Sequence, residues 1–211
     1  MKWSLVLLLS AGLMTAACGG SQRYDNVSGT LAYHGSGKIA VAAHDQRAYV
    51  ISGKKEAKFV GIVRGGYGNP FDVPTATNRP LSTDAARAIA NTLIKHGYTP
   101  VEVATEPGHA SAVVMSALQK TRATRLLLLV LDEWKSDTYV GTAVHFDLKL
   151  RVFNAKGDLL AATTQKGQSD LGSSFFNAKG HAEKVTPIAF RKKLEALFGD
   201  PAITKALAGK R

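Results

Sequence analysis

An alternation near the end of the chain constrains the fold more than any other feature. Val140, Thr142, Val144, Phe146, Leu148, Leu150 and Val152 fall on one side of an extended backbone, and Gly141, Ala143, His145, Asp147, Lys149 and Arg151 on the other. Successive side chains of a strand point to opposite faces, so this pattern demands a sheet with one face in a core and the other in water. The run before it, Leu126-Leu-Leu-Leu-Val-Leu131, has no polar side and reads as a strand buried on both faces. Asn154-Ala-Lys-Gly-Asp158 is a glycine-containing hairpin turn, with residues 159–166 returning as the partner strand. A long antiparallel meander over residues 125–168 follows.

The remaining segments supply helices and shorter strands. Residues 38–43 and 58–64 read as strands, and Gly65-Gly66-Tyr67-Gly68-Asn69-Pro70 breaks the second, with an irregular stretch to Pro80. Leu81-Ser82-Thr83 opens a helix with a hydroxyl cap and Asp84 in its first turn. Ala86, Ile89, Ala90, Leu93 and Ile94 recur at helical spacing, and Gly97 is the stop. Residues 98–104 read as a strand and 109–120 as a second helix. A mobile Gly/Ser/Asn stretch over 167–180 precedes a helix expected to start at Thr186-Pro187, with Phe190, Leu194, Leu197 and Phe198 as its apolar stripe. Asp200-Pro201 starts a short terminal helix. The expected architecture is one α+β domain over residues 37–211, an antiparallel sheet with the long C-terminal meander and helices packed on one face. With 45% hydrophobic and 20% charged residues the chain can build that core, and its single cysteine excludes a disulfide framework or a Cys-rich zinc site.

The cysteine carries a different message. Lys2 is followed by Leu5-Val-Leu-Leu-Leu9 and then small residues ending in Thr15-Ala-Ala-Cys18. The apolar stretch is shorter than the roughly 20 residues a spanning helix needs, so residues 1–17 read as a cleaved export signal. The Thr-Ala-Ala-Cys ending resembles the lipobox of bacterial lipoproteins. That resemblance implies cleavage before Cys18, acylation of Cys18 including a palmitate chain, and attachment to the membrane. Gly19, rather than Asp, implies sorting to the outer membrane, with the protein facing the periplasm. Residues 18–36, rich in glycine and polar side chains, read as the lipidated cysteine and a flexible tether.

Motifs for chemistry are scarce. Net charge is +11, from 27 Lys+Arg against 16 Asp+Glu, but the longest basic run is Arg191-Lys192-Lys193. Export and the scatter of these residues argue against nucleic acid. Gly35-Ser36-Gly37-Lys38 lacks the remaining positions of a phosphate loop. There is no Gly-x-Ser-x-Gly elbow or His-Glu-x-x-His pair, and the six histidines (34, 44, 96, 109, 145, 181) are dispersed. Asp132 and Glu133, adjacent in a strand, should point to opposite faces. His145 and Asp147 share a face with Lys149 beyond, which reads first as a solvated charged surface and second as an acid/base site. No cofactor, metal ligand or catalytic residue is expected.

The order of features resembles the YajG-like group of uncharacterised outer-membrane lipoproteins. A strand precedes Asp45-Gln46-Arg47, a helix ends in Gly97-Tyr98, and a long hairpin and a C-terminal amphipathic helix follow. The resemblance implies no catalytic residues. The expectation is a non-enzymatic interaction or envelope-assembly module, joined to the membrane through Cys18 and to an envelope protein. Its candidate binding surfaces are the 65–72 loop with Tyr67, Asn69 and Phe71, the 132–139 corner with Trp134 and Tyr139, and Arg191, Lys192 and Lys193. A small-molecule or lipid carrier, with a pocket between sheet and helices, is the alternative. An envelope hydrolase is third.

Overall fold

The computed structural model describes residues 20–208, so Cys18 and the expected export signal lie outside the described residues. Among the described residues seven strands and five helices follow one another: β1 (Lys38–Asp45), α1 (Ala48–Ile51), β2 (Phe59–Arg64), β3 (Pro70–Pro74), α2 (Leu81–Lys95), β4 (Thr99–Glu102), α3 (Ser111–Lys120), β5 (Arg125–Thr138), β6 (Gly141–Asn154), β7 (Leu159–Ser173), α4 (Ala178–Phe198) and α5 (Pro201–Ala208). The expected meander is present as β5–β6–β7, paired antiparallel throughout. The sheet as a whole is mixed rather than antiparallel. β5 is twice the usual strand length, and its other edge takes two parallel partners in turn, β1 along its first half and β2 along its second. β4 extends β1 in parallel, and β3 pairs antiparallel with β2 where an irregular stretch was expected.

Helices cover both faces, which corrects the one-face expectation. On one side α2, α4 and α5 pack Ile89, Leu93, Phe190, Leu194, Phe198 and Ile203 onto Leu127, Leu129, Leu131, Trp134 and the inward row of β6. On the other, α3 places Val114 and Leu118 over Ala40, Ala42, Leu126, Leu128 and Val130. This second layer explains why the 126–131 run has no polar side.

The switch of partners along β5 coincides with a bulge between Leu131 and Glu133. Before it, residues 127, 129 and 131 face the larger core; after it Trp134, Ser136 and Thr138 do. One extra residue has reversed the parity, so Asp132 and Glu133 both lie on the opposite face, contrary to the expectation from simple alternation. At Gly61 the backbones of β2 and β5 come so close that a Cβ there would stand 2.7 Å from the Ser136 carbonyl oxygen.

Four further expectations change. The tether is not free from residue 22 onward: Gln22, Tyr24, Val27 and Leu31 are buried, because their apolar and hydrogen-bonding groups find partners on β5, α2 and α4. α2 starts one residue after Pro80 with no side-chain cap, leaving Ser82 buried inside its first turn. α4 begins at Ala178, capped by the Asn177 side chain, which accepts from the Gly180 N–H at 2.9 Å, and it runs through Pro187. Likewise β7 continues to Ser173 through a stretch expected to be mobile.

Candidate interaction surfaces

A buried ion pair holds the strand switch in place. Asp45 at the end of β1 and Arg47 two residues on are both fully buried. Arg47 Nε donates to Asp45 Oδ1 at 2.8 Å and its Nη2 to Oδ2 at 2.7 Å. The rest of the guanidinium donates to the carbonyls of Phe59 (2.6 Å), Trp134 (3.3 Å) and Ala57 (3.1 Å), tying β1, β2 and β5 together. Tyr49, with Arg47 5.5 Å from its ring centre, donates its hydroxyl to Glu133 Oε1 at 2.6 Å and so fixes one residue of the bulge. Burial holds the Tyr49 hydroxyl well above the ordinary phenol range.

On the core side a polar relay stitches in the N-terminal segment. Trp134 Nε1 donates to the Tyr24 hydroxyl at 2.9 Å, that hydroxyl donates to Gln22 Oε1, and Gln22 Nε2 donates to Ser136 Oγ at 2.9 Å. Tyr24, Trp134 and Phe190 form an edge-to-face triple with centroid separations of 6.1, 5.3 and 4.9 Å. Trp134 is fully buried and therefore no surface anchor. Residues 132–138 are strand, not a corner; the turn is at Tyr139 and Val140.

α3 covers only the first half of the outer sheet face. Beyond the bulge, Asp132, Glu133, Lys135, His145, Asp147 and Lys166 line an open hollow of about 420 Å³. Two of its carboxylates are matched by cations across the strands, and Glu133 takes the Tyr49 hydroxyl. Lys149 reaches Asp132 at 2.8 Å, and Lys166 reaches Asp147 at 2.7 Å. Nearby, Arg64 clasps Asp137 with two hydrogen bonds of 2.9 and 2.6 Å. Those bonds hold the Asp137 carboxyl below the usual range, while the bond to Asp147 raises the Lys166 ammonium. Among the described residues no hydrogen bond joins His145 to Asp147; the carboxylate is turned to its cross-strand partner Lys166. Such a face holds fixed, cross-strand-paired charge. Among the described residues, no cluster of three or more His, Cys, Asp or Glu side chains is arranged to hold a metal ion.

Of the sequence candidates, the structure gathers Tyr67, Asn69, Phe71 and Tyr139 at one end of the sheet. The Asn69 carbonyl accepts from the Gly65 N–H at 2.9 Å to close the 65–69 loop, and the Tyr139 hydroxyl donates to the Gly66 carbonyl at 3.4 Å. Arg191, Lys192 and Lys193 lie elsewhere, on α4, and Lys192 and Lys193 border the same groove, an open one of about 420 Å³ between α4 and the end of β7. Arg191 pairs with Glu195 at 3.3 Å, and Lys193 sits 3.9 Å above the Phe146 ring. Sequence reasoning missed Val140, Phe175 and Phe176, all exposed at the same end as Tyr67. The available signal was two adjacent aromatics without a neighbouring charge inside a Gly/Ser/Asn stretch.

No family model matches the chain, and no curated protein does. A solved structure does. The crystal structure of the Xanthomonas campestris protein XCC0632, of family DUF330, superimposes with a TM-score of 0.56 over 87% of this chain and 95% of that one, at 15% identity. The two share a fold. Lipoprotein GNA1162 from Neisseria meningitidis aligns over 76% of this chain and 99% of its own at 11% identity, with a TM-score of 0.34. Among the described residues, no helix is long and apolar enough to cross a membrane.

Proposed function

We propose that this chain is an outer-membrane lipoprotein, anchored through acylated Cys18 and facing the periplasm, and that it works as a non-catalytic interaction module of the cell envelope. The YajG-like lipoproteins, which the chain resembles in the order of its elements, are the family reading in keeping with this. The partner is an envelope protein that seats on the half of the sheet face left bare by α3. The observation that carries the reading is the charge pairing there: Asp132, Asp137 and Asp147 are each engaged by a cation. A surface of fixed, mutually neutralised charges supplies orientation and specificity to a docking protein rather than proton transfer. β7 adds to it, since it is bonded to β6 alone and leaves its second edge unpaired among the described strands. The space between sheet and helices, where a carried ligand would sit, is filled by Trp134, Tyr24 and Phe190.

The test is photo-crosslinking in intact cells with a probe at position 145, 67 or 192, read by mass spectrometry. One dominant protein adduct at position 145 supports the module and locates its face. Lipid adducts alone at that position, or none above background, refute it and favour the carrier. Turnover of an envelope substrate that disappears in H145A would instead establish the hydrolase.

A further inference from the structure

We infer that the loops at one end of the sheet are a membrane-resting surface, with Tyr67, Tyr139, Phe175 and Phe176 seated among lipid headgroups and the upper acyl chains. The strand register brings the loops together. Arg64 pairs with Pro70 across the 65–69 loop, Val63 with Thr138, Thr138 with Thr142, and Gly141 with Ser173, so the β2–β3, β5–β6 and β7–α4 connections all leave the sheet at the same end. Their side chains are turned away from the domain. Tyr67 is fully exposed, Phe175 and Phe176 are 82% and 99% exposed, and Tyr139 and Val140 about half. The two phenylalanines meet edge to face, 5.6 Å between centroids.

Charge distribution says what covers them. Residues 65–69, 139–140 and 174–177 contain no Asp, Glu, Lys or Arg, in a chain where one residue in five is charged. The opposite end of the hairpin carries Lys156 and Asp158 in its turn, with Lys120 and Arg122 at the end of α3. Just behind the loops, Lys179, Glu183 and Lys184 are exposed on the first two turns of α4. Uncharged aromatic tips backed by a turn of charged side chains match the polarity profile of a bilayer interface.

The attachment point agrees. Gly20 lies against the side chains of Lys179 and Glu183, close enough that a Cβ on it would meet Lys179 Cε at 2.6 Å. Lys179 is three residues beyond Phe176. Cys18 is two residues before Gly20, a reach of at most ~7 Å in extended chain. An acyl group on Cys18 therefore enters the bilayer beside the aromatic loops, and the domain has no long spacer to hold it away. This argument rests on acylation of Cys18 as proposed above.

The test uses the full chain, exported and processed, then reconstituted in phosphatidylethanolamine/phosphatidylglycerol vesicles whose acyl chains are brominated or not. Intact mass reports acylation. Emission of F176W is compared with that of K156W at the far end, the buried Trp134 being common to both. Acylated F176W should lose most of its added emission to bromine, while K156W keeps its own. Acylated, vesicle-bound protein in which both variants are quenched equally or not at all overturns the membrane seat and leaves the lipid anchor standing. A mass without acyl chains overturns the anchor, and the seat with it.

Discussion

Replacing Arg47 by lysine keeps a positive charge beside Asp45 and should still cost a large part of the protein's stability. The guanidinium serves five acceptors: both Asp45 carboxylate oxygens and the carbonyls of Phe59, Trp134 and Ala57. An ammonium has three protons on one atom, so at least two of the five bonds are lost, although the Ala57 carbonyl keeps the Leu81 N–H and the Trp134 carbonyl keeps the Tyr49 hydroxyl. A buried hydrogen bond from a charged donor is worth about 1–3 kcal/mol, so losing two puts R47K at about 2–6 kcal/mol. R47M also strands the fully buried carboxylate, a loss of about 3–5 kcal/mol before the carbonyls are counted. Against a typical total of about 5–15 kcal/mol, R47M approaches the limit of folding. Urea unfolding of the chain from residue 19 onward, followed by tryptophan emission from Trp134, measures both. At a slope of roughly 2 kcal/mol per molar, R47K lowers the midpoint by about 1–3 M. A change below about 0.5 kcal/mol in R47K would show that point charge alone holds Asp45 and that the carbonyl contacts contribute nothing.

Other perturbations probe separate parts of the fold. Y24F deprives the Trp134 indole N–H and Gln22 Oε1 of their buried partner, and urea unfolding should register about 2–4 kcal/mol. G61A drives a Cβ toward the β5 backbone, which cannot yield without breaking the β2–β5 pairing, and should cost at least about 1–3 kcal/mol in the same assay. His96 Nε2 accepts from the Leu31 N–H at 3.1 Å and so is unprotonated; burial first, then His34 and Lys95, lowers its pKa from 6.5. The unfolded chain binds that proton more readily, so His96's share of stability is present above about pH 6.5 and is lost as pH falls below it. Unfolding midpoints between pH 7.5 and 5.5 should drop less in H96Q than in the parent. In R64A the Asp137 carboxyl, freed of its two hydrogen bonds, should titrate closer to the ordinary carboxylate range by carbon-detected NMR.

The hairpin was readable in the sequence because its information is local: alternation within β6 and a turn between β6 and β7 need no knowledge of the rest of the chain. The parallel pairing of β1 and β2 with β5 was not, since a short apolar strand carries no mark of its partner or direction. The bulge did leave a trace. Leu127, Leu129 and Leu131 step by two and Trp134 then follows by three, and that odd step is the parity change that moves Trp134 inward and Asp132 and Glu133 to one face. The burial of Tyr24, Val27 and Leu31 was hidden by the polar residues between them, because what captures them lies on α2, α4 and β5 far along the chain. At the candidate surfaces, exposed tips such as Tyr67 were legible from turn chemistry. Which tips share an end depends on strand register alone.

The N-terminal segment and the last helices close on each other. Tyr24 packs on Phe190, the Thr30 N–H donates to Glu195, and the Tyr33 hydroxyl donates to the carbonyl of Phe198. A chain that emerges N-terminus first, from a ribosome or through a membrane pore, therefore cannot complete the burial of Tyr24 until Phe190 has appeared. Early folding is denied its final contacts for nearly the whole passage, which keeps the emerging polypeptide loose enough to thread. The contact between Tyr24 and Phe190 is therefore among the last that the domain can make.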